Sequence, residues 1–331
     1  MIAPALHPTI EQLLGTKFND ELKLPAELQK TRALWKEFIR IVAFSEAEYI
    51  AVQEMRFTPD DVPAFKIRLY ESPLPAATLK PVLLYFHGGN WISGDIETCD
   101  AICQTLAAGS NCTVIAVDYA LAPEHYFPTP LLQGVAVVNW IRERGANLGI
   151  DSQKIIIGGD NAGGNIAAGL VNLLWQTYGI RVFAQMLICP ALHYRFDTAS
   201  YETYKKGYFI SRDFMKASWD MYLGSNGDKY TELVSPFLTA SVSHLPATLI
   251  FTAEHDPLRD EAEHFASRLQ RQGISVCFQR FQKTTQHFWL MDGILPAARQ
   301  AQQQAIDFLL QINKIGEPTY LEDCLINNDV V

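Results

Sequence analysis

Hydrophobic positions along this chain change their period near residue 50. Before it they recur at helical spacing: Ile10, Leu13 and Leu14, then Leu34, Trp35, Phe38 and Ile39, with Pro25 between the two groups. After it, Val52 to Phe57 and Ala64 to Tyr70 alternate, which predicts antiparallel strands with one wet face. Continuous apolar runs follow at Val82 to Phe86, Val114 to Val117, Ile155 to Ile157, Val182 to Ile188 and Thr248 to Phe251, and a last strand at Val276 to Phe281. Helical patterns separate or follow them at about 98–109, 131–145, 162–178, 259–272 and 296–312. Buried strands alternating with helices predict an α/β fold, a mostly parallel central sheet with helices on both faces.

The alternation breaks between His193 and about Ser235, a stretch rich in Tyr, Phe and Trp that reads as an insertion between two strands. The expected organisation is therefore N-terminal helices over 1–50, a core over 51–192, an inserted cap over 193–235, more core over 236–315, and a loosely held polar tail over 316–331. The aromatic residues on the N-terminal helices fit core packing and a lid over a pocket equally well.

Composition narrows the function classes. With 48% hydrophobic residues the chain can bury a large core. A formal charge of −9 and the absence of any Lys/Arg run argue against nucleic acid as a partner. Met1 to Ile10 lacks the features of a signal peptide, and no apolar run approaches a membrane-spanning length, so a cytoplasmic protein is expected. The six cysteines show no C-x-x-C spacing; they read as idle thiols in a reducing compartment, and no metal site is expected.

Four stretches carry the chemistry. Ile155-Ile156-Ile157-Gly158-Gly159-Asp160-Asn161-Ala162-Gly163-Gly164 is a strand, a tight glycine turn and a helix start, the setting of a nucleophile elbow, with Asn161 at its apex. His87-Gly88-Gly89-Asn90-Trp91 follows the strand at 82–86, where backbone N–H groups approach a ligand oxygen; the Ala162 N–H would complete an oxyanion hole. Asp256 follows the strand at 248–251, and His287 follows the strand at 276–281. An acid at that strand end fixes the tautomer of a histidine, which then serves as general base and general acid. A strand-end Asp is also a common helix cap, so Asp256 and Asp260 carry that reading as well. His87 reads as a loop-shaping hydrogen-bonder.

These residues resemble the hormone-sensitive-lipase family of α/β-hydrolases, in its bacterial carboxylesterase branch. The resemblance runs from about 50 to 312. It rests on Tyr85-Phe86-His87-Gly88-Gly89, Gly94-Asp95-Ile96-Glu97-Thr98, Asp118-Tyr119-Ala120-Leu121-Ala122-Pro123-Glu124-His125, Gly159-Asp160 with Ala162-Gly163-Gly164-Asn165, Gly207-Tyr208-Phe209, Ser235-Pro236-Phe237-Leu238 and Asp256-Pro257-Leu258-Arg259-Asp260-Glu261. It implies hydrolysis of small to medium acyl esters without a cofactor, a helical cap, and a homodimer. Carried over, the loop donors are Gly88 and Gly89, and the catalytic pair is Asp256 and His287. The pocket is expected at Asn90, Trp91, Tyr194, Tyr208, Phe209, Trp219 and Phe288.

The chain departs from the family at four places. G-D-S-A-G-G reads G-D-N-A-G-G, H-G-G-G reads H-G-G-N, Y-R-L-A-P-E has Ala120 for Arg, and Phe288 adds bulk beside the base. A carboxamide has no readily removed proton, so Asn161 closes the acyl-enzyme route. Three readings follow: an esterase that lost its serine, an inactive homologue that binds a small apolar ligand, or an enzyme of another class using Asp256 and His287 as a base.

Overall fold

The structure, a computed structural model, describes residues 6–16, 24–44, 50–75, 78–225 and 227–315. The tail expected over 316–331 lies outside the described residues. Eight strands form one sheet: β1 (Val52–Phe57), β2 (Phe65–Tyr70), β3 (Lys80–Phe86), β4 (Thr113–Asp118), β5 (Ile150–Asp160), β6 (Ala184–Ile188), β7 (Ala247–His255) and β8 (Val276–Thr285). Their order is β1-β2-β4-β3-β5-β6-β7-β8. β1 and β2 pair antiparallel, as does β2 with β4; every other neighbour is parallel.

The helices are α1 (Pro8–Leu14), α2 (Leu28–Val42), α3 (Ile96–Ser110), α4 (Thr129–Arg144), α5 (Ala162–Tyr178), α6 (Ala199–Thr203), α7 (Arg212–Leu223), α8 (Arg259–Arg271) and α9 (Pro296–Ile315). Because side chains alternate across a strand, each central strand feeds two cores. Val82, Leu84 and Phe86 pack with Leu131 of α4, Ile166 of α5 and Phe265 of α8. Leu83 and Tyr85 pack on the opposite face with Ile102 of α3, Leu309 of α9 and Phe38 of α2. Both faces are thus dry, which is why these strands read as unbroken apolar runs.

β7 and β8, like β5, run further than the apolar pattern suggests. β7 continues to His255 and β8 to Thr285, which sets Asp256 and the Gln286-His287 pair directly at strand ends. All four chemically suggestive stretches leave the C-terminal ends of parallel strands β3, β5, β7 and β8, where open α/β sheets bind ligands. Cys99, Cys103, Cys112 and Cys189 are buried free thiols; Cys277 is disulfide-bonded, against the expectation of idle thiols throughout.

Candidate active site

β5 delivers Asn161 at the tip of a sharp turn. Its backbone lies at φ 52°, ψ −114°, a region costly for a residue with a side chain. Close packing of the turn against β3 imposes this geometry. A Cβ on Gly159 would sit 2.3 Å from the Phe86 carbonyl oxygen, and one on Gly163 would sit 1.9 Å from it. Only glycines let strand and helix approach so closely. The Asn161 N–H donates to the Ile188 carbonyl at 2.9 Å, and its own carbonyl accepts from Asn165 and Ala191.

Asparagine at a helix start ordinarily caps it. Asn161 makes no side-chain cap to α5. Its carboxamide turns to the loop after β3 instead, where Oδ1 accepts the Asn90 N–H at 2.9 Å. Nδ2 is buried without a partner, and the residue is 1% exposed. Gly88, read from the sequence as an oxyanion donor, gives its N–H to Asp160 Oδ1 at 3.0 Å. The reason is local: Gly89, Asn90 and Trp91 all have positive φ, of 114°, 56° and 61°, so the loop curls and turns the Asn90 N–H, not that of Gly88, toward the elbow. Ala162 opens α5, where first-turn N–H groups lack intrahelical acceptors.

A buried network sets the loop. Trp289 Nε1 donates to Tyr85 Oη at 3.0 Å, and Tyr85 Oη donates to Asp160 Oδ1 at 2.7 Å. Burial raises the Asp160 carboxyl to about 6, against the hydrogen bonds from Tyr85 and Gly88 that favour its anion. His87 shapes the same loop: Nδ1 donates to the Gly88 carbonyl at 2.7 Å, and the ring stacks on Tyr119 at 4.2 Å.

Asp256 and His287 stand at neighbouring strand ends, since β7 pairs with β8. Asp256 is fully buried; Oδ1 accepts the Leu258 N–H at 2.9 Å, and Oδ2 has no partner. His287 is 8% exposed at φ 72°, and its Nδ1 also has no partner. The two groups that would satisfy each other are both orphaned. Burial pushes Asp256 up to about 7 and pulls His287 down to about 3, so both lean toward their neutral forms. Asp260 does not cap α8: its carboxylate accepts the Ser200 N–H at 2.7 Å and binds Arg259.

The expected pocket aromatics divide. Trp91 stacks on Tyr222 at 4.9 Å and meets Trp219 at 4.2 Å, with Tyr194 edge-on to Trp219 at 5.9 Å. Phe209 packs on Phe38 of α2 at 5.6 Å. Tyr208 stacks on His255 at 5.8 Å, away from both groups. Phe288 turns inward onto Phe281 at 4.9 Å and belongs to the core, against the expectation that it lines the pocket beside His287.

Pattern reading missed Trp35. Its ring meets that of His287 edge-on at 4.5 Å and stacks on Phe38 at 5.8 Å, so α2 covers the histidine. Arg32, one turn earlier, donates to the Ile92 carbonyl at 2.7 Å and the Ala122 carbonyl at 3.1 Å, and grips Glu124 with two bonds. A guanidinium from α2 thus braces the loop in which Ala120 stands. Apolar spacing marked Trp35 as inward-facing; nothing local identified its partner. Among the described residues, no group of three or more His, Cys, Asp or Glu could hold a metal, and no helix is long and apolar enough to cross a membrane.

A family model described as the alpha/beta hydrolase fold matches residues 83–290. The chain is 38% identical over 217 residues to an arylesterase from Saccharolobus solfataricus, covering 63% of this chain and 71% of that protein. It is 33% identical over 230 residues to the carboxylesterase NlhH from Mycobacterium tuberculosis, covering 69% and 72%. Among solved structures, a mutant of the α/β-hydrolase enzyme LAE6 from the metagenome of Lake Arreo superposes with a TM-score of 0.86 at 30% identity, covering 96% of this chain and 99% of that one. A thermostable esterase from Pseudomonas putida gives 0.85 at 27%, covering 94% and 98%. The chain belongs to the α/β-hydrolase family, in the hormone-sensitive-lipase-like group, and its homologues are esterases.

Proposed function

We propose that this protein is an esterase-type scaffold for small to medium acyl esters in which Asn161 stands where the nucleophile belongs, so that esters bind and turn over slowly. The carrying observation is the 2.9 Å contact from the Asn90 N–H to Asn161 Oδ1. A donor aimed at the elbow residue's side chain is the arrangement an oxyanion hole requires. In this reading the donors are Gly89, Asn90 and Ala162. Asp256 and His287 are acid and base, and α2 with the 193–235 segment forms the cap. Loss of a triad nucleophile costs about 10⁶-fold in a serine protease, about 8 kcal/mol of barrier. Oxyanion donors and binding alone leave about 10³–10⁴-fold over water.

The same contact supports a second reading, a binding homologue. A side chain fixed by its carbonyl on that donor, with no removable proton, leaves the elbow nothing with which to attack a bound ligand. The third reading, His287 as base for another chemistry, draws less support, because the Asn90 donor aimed at the elbow residue's side chain fits acyl chemistry. Hydrolysis of a panel of short p-nitrophenyl esters by Asn161→Ser decides between them. Rapid turnover supports the first reading. An inactive, folded variant supports the second.

A further inference from the structure

The side chain of Asn161 is itself held as an acyl group. Its carbonyl oxygen takes a backbone N–H donor, it is 1% exposed, and its nitrogen has no partner to lose. The packed turn keeps the carboxamide from swinging into a capping position. Elbow and base loop also share one support. The Asn161 N–H donates to the Ile188 carbonyl, the Ala191 N–H donates to the Asn161 carbonyl, and Gln286 Nε2 donates to the Cys189 carbonyl at 3.1 Å. The residue before His287 and the Asn161 backbone thus brace on the same four residues, 188–191, at the C-terminal end of β6.

From this geometry we infer that the protein slowly hydrolyses its own Asn161 side chain, leaving an aspartate at position 161. A water gives its proton to the imidazole of His287, and its oxygen attacks Cγ. The carbonyl electron pair moves to Oδ1, where the Asn90 N–H stabilises it. The tetrahedral centre then collapses: the Cγ–Nδ2 bond breaks, and the imidazolium returns its proton to the departing nitrogen. Carboxamide plus water becomes carboxylic acid plus ammonia, and no redox partner is needed. The inference rests on the acyl-transfer reading of the site. One oxyanion donor is worth about 10²–10³-fold in rate. The weak basicity of a buried His287 keeps the reaction slow.

A different chemistry is available at the same carbon. Attack by the Ala162 nitrogen would form a cyclic imide, which opens to a mixture of aspartate and isoaspartate. The test incubates the purified full-length protein at neutral pH and physiological temperature, with peptide mapping by mass spectrometry. The expected result is a gain of one mass unit at residue 161, as normal aspartate, faster than at Asn147, which is exposed. Conversion should slow in heavy water and in His287→Gln. Isoaspartate as the main product, an intact Asn161 while Asn147 converts, or no slowing in heavy water each overturns the inference. The heavy-water arm stands even if His287→Gln fails to fold. Running Asn161→Ser against short esters in parallel separates the two claims. An active Ser variant with an unconverted Asn161 sinks only this inference, whereas inactivity of both removes the site reading beneath it.

Discussion

Replacing Asp256 by Asn should stabilise the protein, and only where the carboxyl would be ionised. Asp256 is fully buried, with one oxygen bonded to the Leu258 N–H and the other unpartnered. Burial raises it from 3.8 to about 7. Below pH 3.8 the folded and unfolded chains both carry the neutral acid, and nothing is lost. As pH rises toward 7 the unfolded chain ionises while the folded one resists. Above 7 the folded state must hold a desolvated anion, at a cost of about 4 kcal/mol. Asp256→Asn keeps the acceptor for Leu258 and removes the charge. Urea unfolding across a pH series should show the variant about 2–4 kcal/mol more stable above neutrality and equal to the parent near pH 4. A variant less stable at high pH would be the opposite outcome, and would mean that the Asp256 anion is held by a cationic His287. The cost fits a group retained for chemistry rather than for folding.

Further outcomes follow from the same geometry. Asn161→Ala frees the Asn90 N–H, so a short unreactive ketone should bind about 2–10-fold tighter by calorimetry; unchanged affinity would remove Asn90 from the donor set. Trp35→Ala wets the imidazole of His287, so its pKa, followed by NMR, should climb from about 3 toward 6.5; no movement would show that other groups cover the ring. Tyr85→Phe strands Trp289 Nε1 and takes a bond from Asp160, costing about 1–3 kcal/mol in chemical denaturation. Gly163→Ala, whose Cβ would sit 1.9 Å from a carbonyl oxygen, should lose more than about 4 kcal/mol; a variant melting like the parent would contradict the packing of the turn.

The layered fold was readable because dry strands and one-sided helices leave opposite apolar periods. The segments of the proposed site stand out in the sequence because glycines at a tight turn, a strand-end acid and a strand-end histidine are marked at single positions. Contacts between distant segments were not readable. Trp35 on His287, Arg32 on Glu124 and the Trp289–Tyr85–Asp160 chain each depend on how loops meet, and hydropathy specifies an inward face without naming its partner. The loop after β3 shows the finest limit. Three successive positive φ angles decide which N–H turns to Asn161, so the Asn90 N–H meets its side chain and the Gly88 N–H serves Asp160. Phe288 misled for a related reason: it follows His287 in the chain but points into the core.

The proposed site is an acyl-transfer site that lacks only its nucleophile. Its most direct test is the ratio of kcat/KM on one short p-nitrophenyl ester between Asn161→Ser and the parent, with Asn161→Ala as control. A ratio on the order of 10⁵–10⁶ is expected, with Asn161→Ala remaining near the parent. A folded Asn161→Ser protein within tenfold of the parent would contradict it, and would mean that the site has been turned to another use.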